Sequence, residues 1–404
     1  MSKPKAIIIN LSTSGSRLGG AAIAAEWHAR FIAPQFPIEL WRMWDDNQEL
    51  YLDNLKIRQY ATKVKFGLLG QLLPKQAKAF FLDSDILDKL LIDPPDIIHL
   101  QNPLPALAFE RIAHQAHEAG IKVVVSTHGF YEVMNPNYSL NGFKQWAWTQ
   151  WITKPHLKSS RYVDAVLSGY PDERKMLIRM GFSEDKIYLV PNGVNPFFLN
   201  KPLEEESQEV LKKFNLDLER PILLFVGNHT ANKGLDIVLK IASKLSKPAV
   251  VVIGGRLSDP EEPLRWRENF PPAKQVDVVF TDYLTLTDQR ALYHLSTLLL
   301  FPSLADTLPL TILEAMASGL PVVAYSVGGI PYQLKNASGI VAAPGDTQTF
   351  QAAIESLLSD ERARQKLSNN GKLRQQELFS WEFAATRTVQ IYKQLLARKK
   401  WENQ

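Results

Sequence analysis

The sequence has no cysteine among its 404 residues, which excludes disulfide bonds and thiol chemistry. It also has no apolar run that approaches the ~20 residues a helix needs to span a bilayer. The opening stretch, MSKPKAIIINLSTSG, enters a strand pattern too early for a secretory signal peptide. We therefore expect a cytoplasmic protein that is either soluble or peripheral on the cytoplasmic face of the membrane.

Several functional fingerprints are missing as well. The net charge of +4 is mild, and no zinc-finger pattern or basic helix with heptads is present, so nucleic acid is not an expected partner. The motifs GxSxG, HExxH and GxxxxGK[ST] are absent. The first strand is not followed by GxGxxG either, and this weakens the case for an NAD-binding protein. The acidic DSD at 83–85 precedes a helical pattern that Asp83 or Ser84 is expected to cap. We therefore expect no metal site.

Short β-rich runs alternate with helical patterns along the whole chain. KAIIINL, DIIHLQN and KVVVSTHG belong to a first series, and PILLFVGN, AVVVIGG and PVVAYS belong to a second. Apolar strands separated by helices are typical of parallel sheets covered on both faces, with ligands beyond the carboxyl ends of the strands. We predict an α/β protein with two doubly wound, Rossmann-like domains facing each other across a cleft, and a boundary at about residues 196–202.

One helix is predicted within residues 302–331, PSLADTLPLTILEAMASGLPVVAYSVGGIP. Asp306 or Thr307 is expected to cap its N-terminus, and Pro309 suits its first turn. Gly319, followed closely by a proline, ends the helix before the strand-like PVVAY.

Glu314 lies inside this helix among apolar residues, where an ionised carboxylate requires a partner. Helical side chains lean towards the N-terminus, so Glu314 points to the end of the helix where anions bind. One interpretation is a phosphate at the helix tip with a sugar hydroxyl behind it. The other is a structural glutamate satisfied by the N–H groups of a neighbouring loop or by an arginine.

Further candidates follow the strands of the first series. Gly19 and Gly20 open an Ala-rich helix. Because glycine has no Cβ, the backbone N–H groups there can closely approach a phosphate or sugar. The alternative is that the two glycines only permit a tight turn from strand to helix. His128 follows the third strand and can hydrogen-bond a substrate or act as a base, although lone histidines are often structural. His99 is a weaker case, since a core histidine explains it equally well.

In the second series, LLFVGNHTANKGLDIVL runs from a strand through a glycine turn to Lys233 and a helix. A lysine at this position is well placed to neutralise a diphosphate, although a solvated turn lysine is the alternative. A later strand ends in VVFTDYL, and the loop that contains Tyr283 and Leu284 is placed to sandwich a base.

Two surface features remain. Residues 56–78 contain six basic side chains and no acidic one, a pattern that fits either contact with anionic membrane or an ordinary solvated face. Trp146, Trp148 and Trp151 lie in a loop region expected to shape acceptor choice, where they can stack on sugar rings or serve as core residues.

These features, in this order, resemble family 4 of the glycosyltransferases, retaining GT-B enzymes that use nucleotide-sugar donors. The resemblance is strongest in residues 302–331, which look like the paired-acid segment of that family, and it extends to YLVPNGVNPFF and FSWEFAATRTVQIY. It implies an N-terminal acceptor domain, residues 1–197, rejoined by a closing helix within 382–404. It also implies a donor domain over 198–381.

The resemblance implies a role for each candidate residue. Glu314 would bind the donor ribose, and Asp306 the hydroxyls of the transferred sugar. His128 would lie beside the sugar at the reaction centre, and Lys233 would neutralise the diphosphate without a metal. The remaining donor contacts and the loop facing the phosphate or acceptor would come from Gly227, Asn228, Leu310, Thr311, Tyr283, Leu284, Gly19 and Gly20.

Three departures from the family pattern concern the donor site. Asp306 replaces the commoner glutamate, Asn228 stands where many relatives place an arginine, and Pro309 replaces a glycine. Arg256 is one cation that can compensate for Asn228. We expect a retaining hexosyltransferase acting on a saccharide or lipid-linked saccharide in cell-surface or exopolysaccharide biosynthesis. The alternatives are a non-catalytic nucleotide-sugar binder or scaffold, and an epimerase or phosphorylase of the same fold.

Overall fold

The computed structural model describes residues 5–11, 20–64, 81–128, 130 and 142–402. The chain divides into two compact units: Met1–Gly193 with Trp381–Gln404 forms unit 1, and Val194–Ser380 forms unit 2. The predicted boundaries, after residues 197 and 381, fall close to these divisions. Gly19 lies outside the described residues, as do residues 65–80 of the basic stretch.

Unit 1 is built on an eight-stranded sheet in the order β10-β9-β8-β7-β1-β2-β4-β3, in which only β3 is antiparallel to its neighbour. The central strands are fully buried and mostly apolar, as expected for a parallel sheet covered on both faces. The strands are β1 (Ala6–Asn10), β2 (Ile38–Trp44), β3 (Gln48–Leu52), β4 (Leu55–Ala61), β7 (Ile97–Leu100), β8 (Lys122–Ser126), β9 (Ala165–Ser168) and β10 (Ile187–Leu189); a separate ribbon pairs β5 (Lys63–Val64) with β6 (Leu82–Asp83).

Helices cover both faces of this sheet, and a π-helical turn at Thr149–Thr153 joins two of them. The long C-terminal helix α15 packs against α1 in unit 1. The helices are α1 (Gly20–Ile32), α2 (Ile86–Ile92), α3 (Ala106–Glu118), α4 (Gly142–Trp148), α5 (Lys154–Ser159), α6 (Glu173–Arg179) and, from the end of the chain, α15 (Trp381–Glu402).

Unit 2 has a six-stranded, wholly parallel sheet in the order β13-β12-β11-β14-β15-β16. Strand order reverses between β11 and β14, and ligands of open α/β sheets bind beyond the carboxyl ends at such a switch point. The strands are β11 (Ile222–Val226), β12 (Ala249–Gly254), β13 (Val276–Asp282), β14 (Leu298–Phe301), β15 (Val322–Tyr325) and β16 (Ile340–Ala342).

The helices of unit 2 alternate with these strands, as doubly wound topology requires. They are α7 (Glu204–Lys213), α8 (Leu235–Ala242), α9 (Glu262–Asn269), α10 (Leu286–Leu295), α11 (Leu310–Ser318), α12 (Ile330–Gln333), α13 (Thr347–Ser359) and α14 (Glu361–Leu378).

The described part of the basic stretch forms no helical face. Lys56 and Arg58 lie on β4, and both pair across the sheet with Glu49. Lys63 pairs with Asp85 at 2.6 Å. The first three basic residues therefore have carboxylate partners, and contact of residues 56–78 with an anionic membrane stays a prediction. Of the helices whose placement is described, none is long and apolar enough to cross a membrane.

The DSD segment follows its prediction only in part, because Ser84 Oγ accepts a hydrogen bond from the N–H of Ile86, the first residue of α2, at 3.5 Å. Helix α2 has Asp85 as its N-cap, without a side-chain capping bond. Asp83, one of the two expected caps, instead accepts a hydrogen bond from Arg111. An arginine charge competes better for this carboxylate than a helix N–H group does.

Candidate active site

Two loops meet at the switch point of unit 2. One follows β11 and contains Asn232, Lys233 and Gly234; the other follows β14. The Leu304 N–H donates to the carbonyl of Asn232 at 2.7 Å. Gly234 has a φ of 75°, and a Cβ there would lie 2.3 Å from the carbonyl oxygen of Pro302. Only a glycine permits this close approach, which fixes the two loops against each other.

The Lys233 side chain crosses from the first loop to the second. Its Nζ atom lies 2.8 Å from Oδ2 of Asp306, and the Ser303 hydroxyl donates to the same oxygen at 2.6 Å. The two charged side chains are 24% and 15% exposed, so solvent and a ligand can reach them. The structure therefore brings together the predicted cation and the predicted first acid.

Helix α11 begins directly after this loop, but not as predicted. Its N-cap is Pro309, with φ −64° and ψ 129°, and it has no side-chain cap. Neither Asp306 nor Thr307 caps it, because Lys233 and Ser303 engage the Asp306 carboxylate. Leu310 and Thr311 open the helix, so their N–H groups have no partner within it and remain suited to an anion. Gly319 ends the helix in the left-handed region, as predicted.

Glu314, the second predicted acid, is half-buried in α11. Its Oε2 atom accepts a hydrogen bond from the Tyr293 hydroxyl at 2.9 Å. The partner is thus a tyrosine, neither of the two structural partners expected from the sequence. Burial raises the pKa of Glu314 from 4.5 to about 7, and the Tyr293 hydrogen bond partly opposes this shift.

Glycines lie at the carboxyl ends of β11 and β12, where the backbone carries no side chain. The Gly227 N–H donates to the Gly254 carbonyl at 2.9 Å. Leu284 is 3% exposed and packs against Gly254, where any Cβ would lie 2.5 Å from its side chain. The Leu284 side chain is therefore occupied with packing and is not available to a base. Tyr283 is 55% exposed.

The two side chains proposed to complete the diphosphate site are exposed. Asn228 lies on the surface after β11, and Arg256 on the surface after β12. Within the described residues, no group of three or more His, Cys, Asp or Glu side chains converges as a metal site.

His128 belongs to unit 1, at the carboxyl end of β8. Burial lowers its pKa from 6.5 to about 4. His128 also lies close enough to His28 to lower the pKa of that side chain. His99 is a core histidine, held at 2.7 Å by the Tyr392 hydroxyl and at 2.8 Å by Ser126. Gly20 begins α1, and a Cβ there would meet nothing within 4 Å.

Two of the three candidate tryptophans, Trp146 and Trp151, belong to one aromatic group. Trp146 is 51% exposed and lies 6.0 Å from Trp151, which in turn packs edge-on against Phe81. Trp148 packs against the small apolar cluster of Ala106 and Ile152. Trp146 is therefore the member most open to a ligand.

Sequence reasoning missed Tyr293, Ser303 and a buried His229–Glu262 pair with 2.7 Å between its atoms. Tyr293 has a weak signal, a tyrosine in the helix ALYHL just before the strand that leads to Asp306. The His229–Glu262 pair has none, since its members are 33 residues apart and meet only through the fold.

Two family models match this chain, one on each unit. Residues 24–197 match the model described as Glycosyltransferase Family 4, and residues 206–374 match Glycosyl transferases group 1. The chain belongs to the GT4-type glycosyltransferases. The matched ranges contain every candidate residue except Gly19 and Gly20.

Individual relatives of this GT4-type chain are distant. A glycosyltransferase of Methanocaldococcus jannaschii is 29% identical over 216 residues, 52% of this chain and 54% of that protein. Sulfoquinovosyl transferase SQD2 of Arabidopsis thaliana is 26% identical over 315 residues, 76% of this chain and 58% of that protein. The chain thus spans somewhat more than half the length of these curated relatives.

Solved structures share the fold of the GT4-type chain over nearly its whole length. Sucrose-phosphate synthase from Thermosynechococcus elongatus has a TM-score of 0.75 at 20% identity, covering 98% of this chain and 100% of that one. HepE of Anabaena, in complex with UDP-glucose, has a TM-score of 0.72 at 15% identity, covering 96% and 99%. The fold is GT-B.

Proposed function

We propose that this protein is a retaining, metal-independent hexosyltransferase that moves a sugar from a nucleotide-sugar donor to a saccharide or lipid-linked saccharide. The observation that carries the proposal is the Lys233–Asp306 pair at the switch point of unit 2, next to the start of α11. A cation, free helix N–H groups and a carboxylate on one edge of a sheet suit a ligand with a phosphate and hydroxyls. HepE of Anabaena, which has the same fold, was solved in complex with UDP-glucose.

The donor would lie across these groups. Its diphosphate would meet Lys233 and the N–H groups of Leu310 and Thr311. Glu314 would accept hydrogen bonds from ribose hydroxyls, and Asp306 from hydroxyls of the sugar. In this arrangement the positive charge that the leaving group requires comes from a lysine and a helix N-terminus, which is why we propose a reaction without metal.

The transfer step would not require a protein side chain as general base. The acceptor hydroxyl oxygen forms a bond to the anomeric carbon on the face from which the nucleotide leaves, and the bond from that carbon to the phosphate oxygen breaks. The acceptor proton passes to the departing phosphate. The protein would mainly stabilise the charge that develops on the diphosphate, while His128 of unit 1 would orient the sugar. We place the products in a cell-surface glycan or exopolysaccharide.

A thermal-shift screen with UDP, GDP, ADP, TDP and their sugars, on the wild type and Glu314→Ala, tests the donor site. A nucleotide at a hundredfold excess over its dissociation constant should stabilise the wild type by ~2.7 kcal/mol and leave the variant unshifted. No shift with any nucleotide would contradict the proposal.

Product analysis with the nucleotide found in that screen tests the reaction. Proton NMR should show the donor's anomeric configuration in the product, with equal release of nucleoside diphosphate and no loss of rate in EDTA. Binding without turnover on any saccharide would instead support a non-catalytic nucleotide-sugar binder. Nucleotide-linked product without acceptor glycosylation would support an epimerase.

A further inference from the structure

Tyr293 lies in α10 and is 1% exposed. Its hydroxyl donates to Oε2 of Glu314 at 2.9 Å, and in the described part of the chain no other side chain hydrogen-bonds this carboxylate. The side chain of Thr311, in the first turn of α11, interacts with the same hydroxyl. The tyrosine therefore links the second acid to the helix start where we propose that the phosphate binds.

The chemistry of this contact is defined by burial. Burial and the neighbouring carboxylate raise the pKa of Tyr293 well above 10, so the hydroxyl keeps its proton and remains a donor. Since burial and Tyr293 are the two influences on the pKa of Glu314, the hydroxyl is the group that favours its ionised form. It also occupies Oε2, which leaves Oε1 to face a ligand.

A second contact fixes the tyrosine ring itself. Phe198, 1% exposed, packs edge-on against Tyr293 with ring centroids 5.6 Å apart. Phe198 belongs to a 3₁₀ turn, Pro196–Leu199, that begins two residues after unit 2 starts and also contacts α11. The neighbouring Phe197 lies under the Arg290 guanidinium at 3.9 Å. Both aromatic residues of the turn, Phe197 and Phe198, thus pack against side chains of α10.

We propose that Tyr293 is a positioning residue for the donor: its hydroxyl orients the Glu314 carboxylate, and Phe198 holds the Tyr293 ring in place. The inference rests on the proposed function, because it assumes that Glu314 receives the donor ribose. Tyr293 acts through Glu314 and does not touch the donor. The segment that opens unit 2 thereby contributes to the geometry of the donor site.

Nucleotide affinity measured by titration calorimetry from pH 6 to 9 tests this, in the wild type, Tyr293→Phe, Phe198→Leu and Glu314→Ala. Tyr325→Phe is the matched control, because Tyr325 is a buried tyrosine of unit 2 whose hydroxyl lies beside the Thr347 side chain rather than beside Glu314. Tyr293→Phe should weaken binding roughly three- to tenfold at pH 8. Without the Tyr293 hydrogen bond, the pKa of Glu314 should rise further. The pH below which nucleotide affinity falls should therefore also be higher in Tyr293→Phe. Phe198→Leu should give a smaller change in the same direction.

Two results would overturn the inference, and they are distinguishable. If the wild type binds nucleotide and Glu314→Ala does not, but Tyr293→Phe matches Tyr325→Phe in affinity and pH midpoint, Tyr293 has only a packing role. If the wild type and Glu314→Ala bind equally well or not at all, the proposed function itself fails, and the inference fails with it. Thermal unfolding of each variant verifies that it is folded before titration.

Discussion

The Nζ atom of Lys233 lies 2.8 Å from Oδ2 of Asp306, so the cation at the switch point of unit 2 is already paired with an anion from the neighbouring loop. The two residues are 73 positions apart in the chain. A diphosphate entering the site would therefore compete with Asp306 for the ammonium group, while the Ser303 hydroxyl continues to hold the carboxylate. In the proposed donor site, this competition would couple donor binding to the position of Asp306.

The first prediction separates the two members of the pair. Lys233→Met should lower kcat/KM for sugar transfer by roughly 10²–10³, the usual effect of removing one preorganised group from a developing charge. Asp306→Asn should instead strengthen binding of the free nucleoside diphosphate, because it releases the Lys233 ammonium, and should slow transfer. Titration calorimetry and initial rates measure the two quantities. Weaker diphosphate binding by Asp306→Asn would show that the pair does not compete with the ligand.

The second prediction concerns the contact between the two switch-point loops. Gly234→Ala should cost clearly more free energy of unfolding than Gly120→Ala. Both glycines have a left-handed backbone conformation, with φ of 75° and 70°. An alanine in this conformation lowers the free energy of unfolding by about 1–2 kcal/mol at either position. Only at Gly234 would the new Cβ also meet a backbone carbonyl, that of Pro302 at 2.3 Å, whereas Gly120 faces open space. Urea unfolding measures the difference, and equal costs would mean that the loops separate easily.

The α/β class and the alternation of strands and helices were predictable because buried parallel strands require continuous apolar runs. PVVAY became β15, and the glycine after the helical pattern became the C-cap of α11. Asp306 and Glu314 were paired through the family resemblance, and their roles in donor binding stay predictions.

Their partners were not predictable, because each comes from a distant part of the chain. The cap prediction failed since Lys233 takes the Asp306 carboxylate, and Tyr293 reaches Glu314 only through the packing of α10 against α11. The carboxylate partners of the basic stretch were likewise not predictable, because Glu49 lies on a neighbouring strand.

The third prediction is that Glu314→Gln abolishes nucleotide binding yet stabilises the protein at pH 8. The pKa of Glu314 is raised from 4.5 to about 7 in the folded state, so its ionisation opposes folding increasingly from pH 4.5 to 7 and fully above 7. The glutamine removes this penalty, which we expect to be on the order of 1–3 kcal/mol. Urea unfolding at pH 8 and at pH 4.5 should show the gain only at the higher pH. The exposed Glu209→Gln is the control, and a gain at both pH values would assign the effect to something other than ionisation.

The fourth prediction is that unit 1 loses stability in acid because of buried neutral histidines. Burial lowers the pKa of His28 to about 3, of His128 and His156 to about 4, and of His99 well below 6.5. The unfolded chain therefore binds more protons than the folded one below pH 6.5. The stability is complete above that pH and is lost as the pH falls towards 4, by up to ~1.4 kcal/mol per pH unit for each histidine.

His156→Leu tests this directly, since His156 is fully buried against Phe109 and Phe130. A leucine of similar volume removes one titrating group. The unfolding free energy should then fall less steeply between pH 6.5 and 4.5, by the slope that corresponds to about one proton taken up on unfolding. A wild-type unfolding free energy that is flat over this range would mean that these histidines are solvated or protonated in the folded protein.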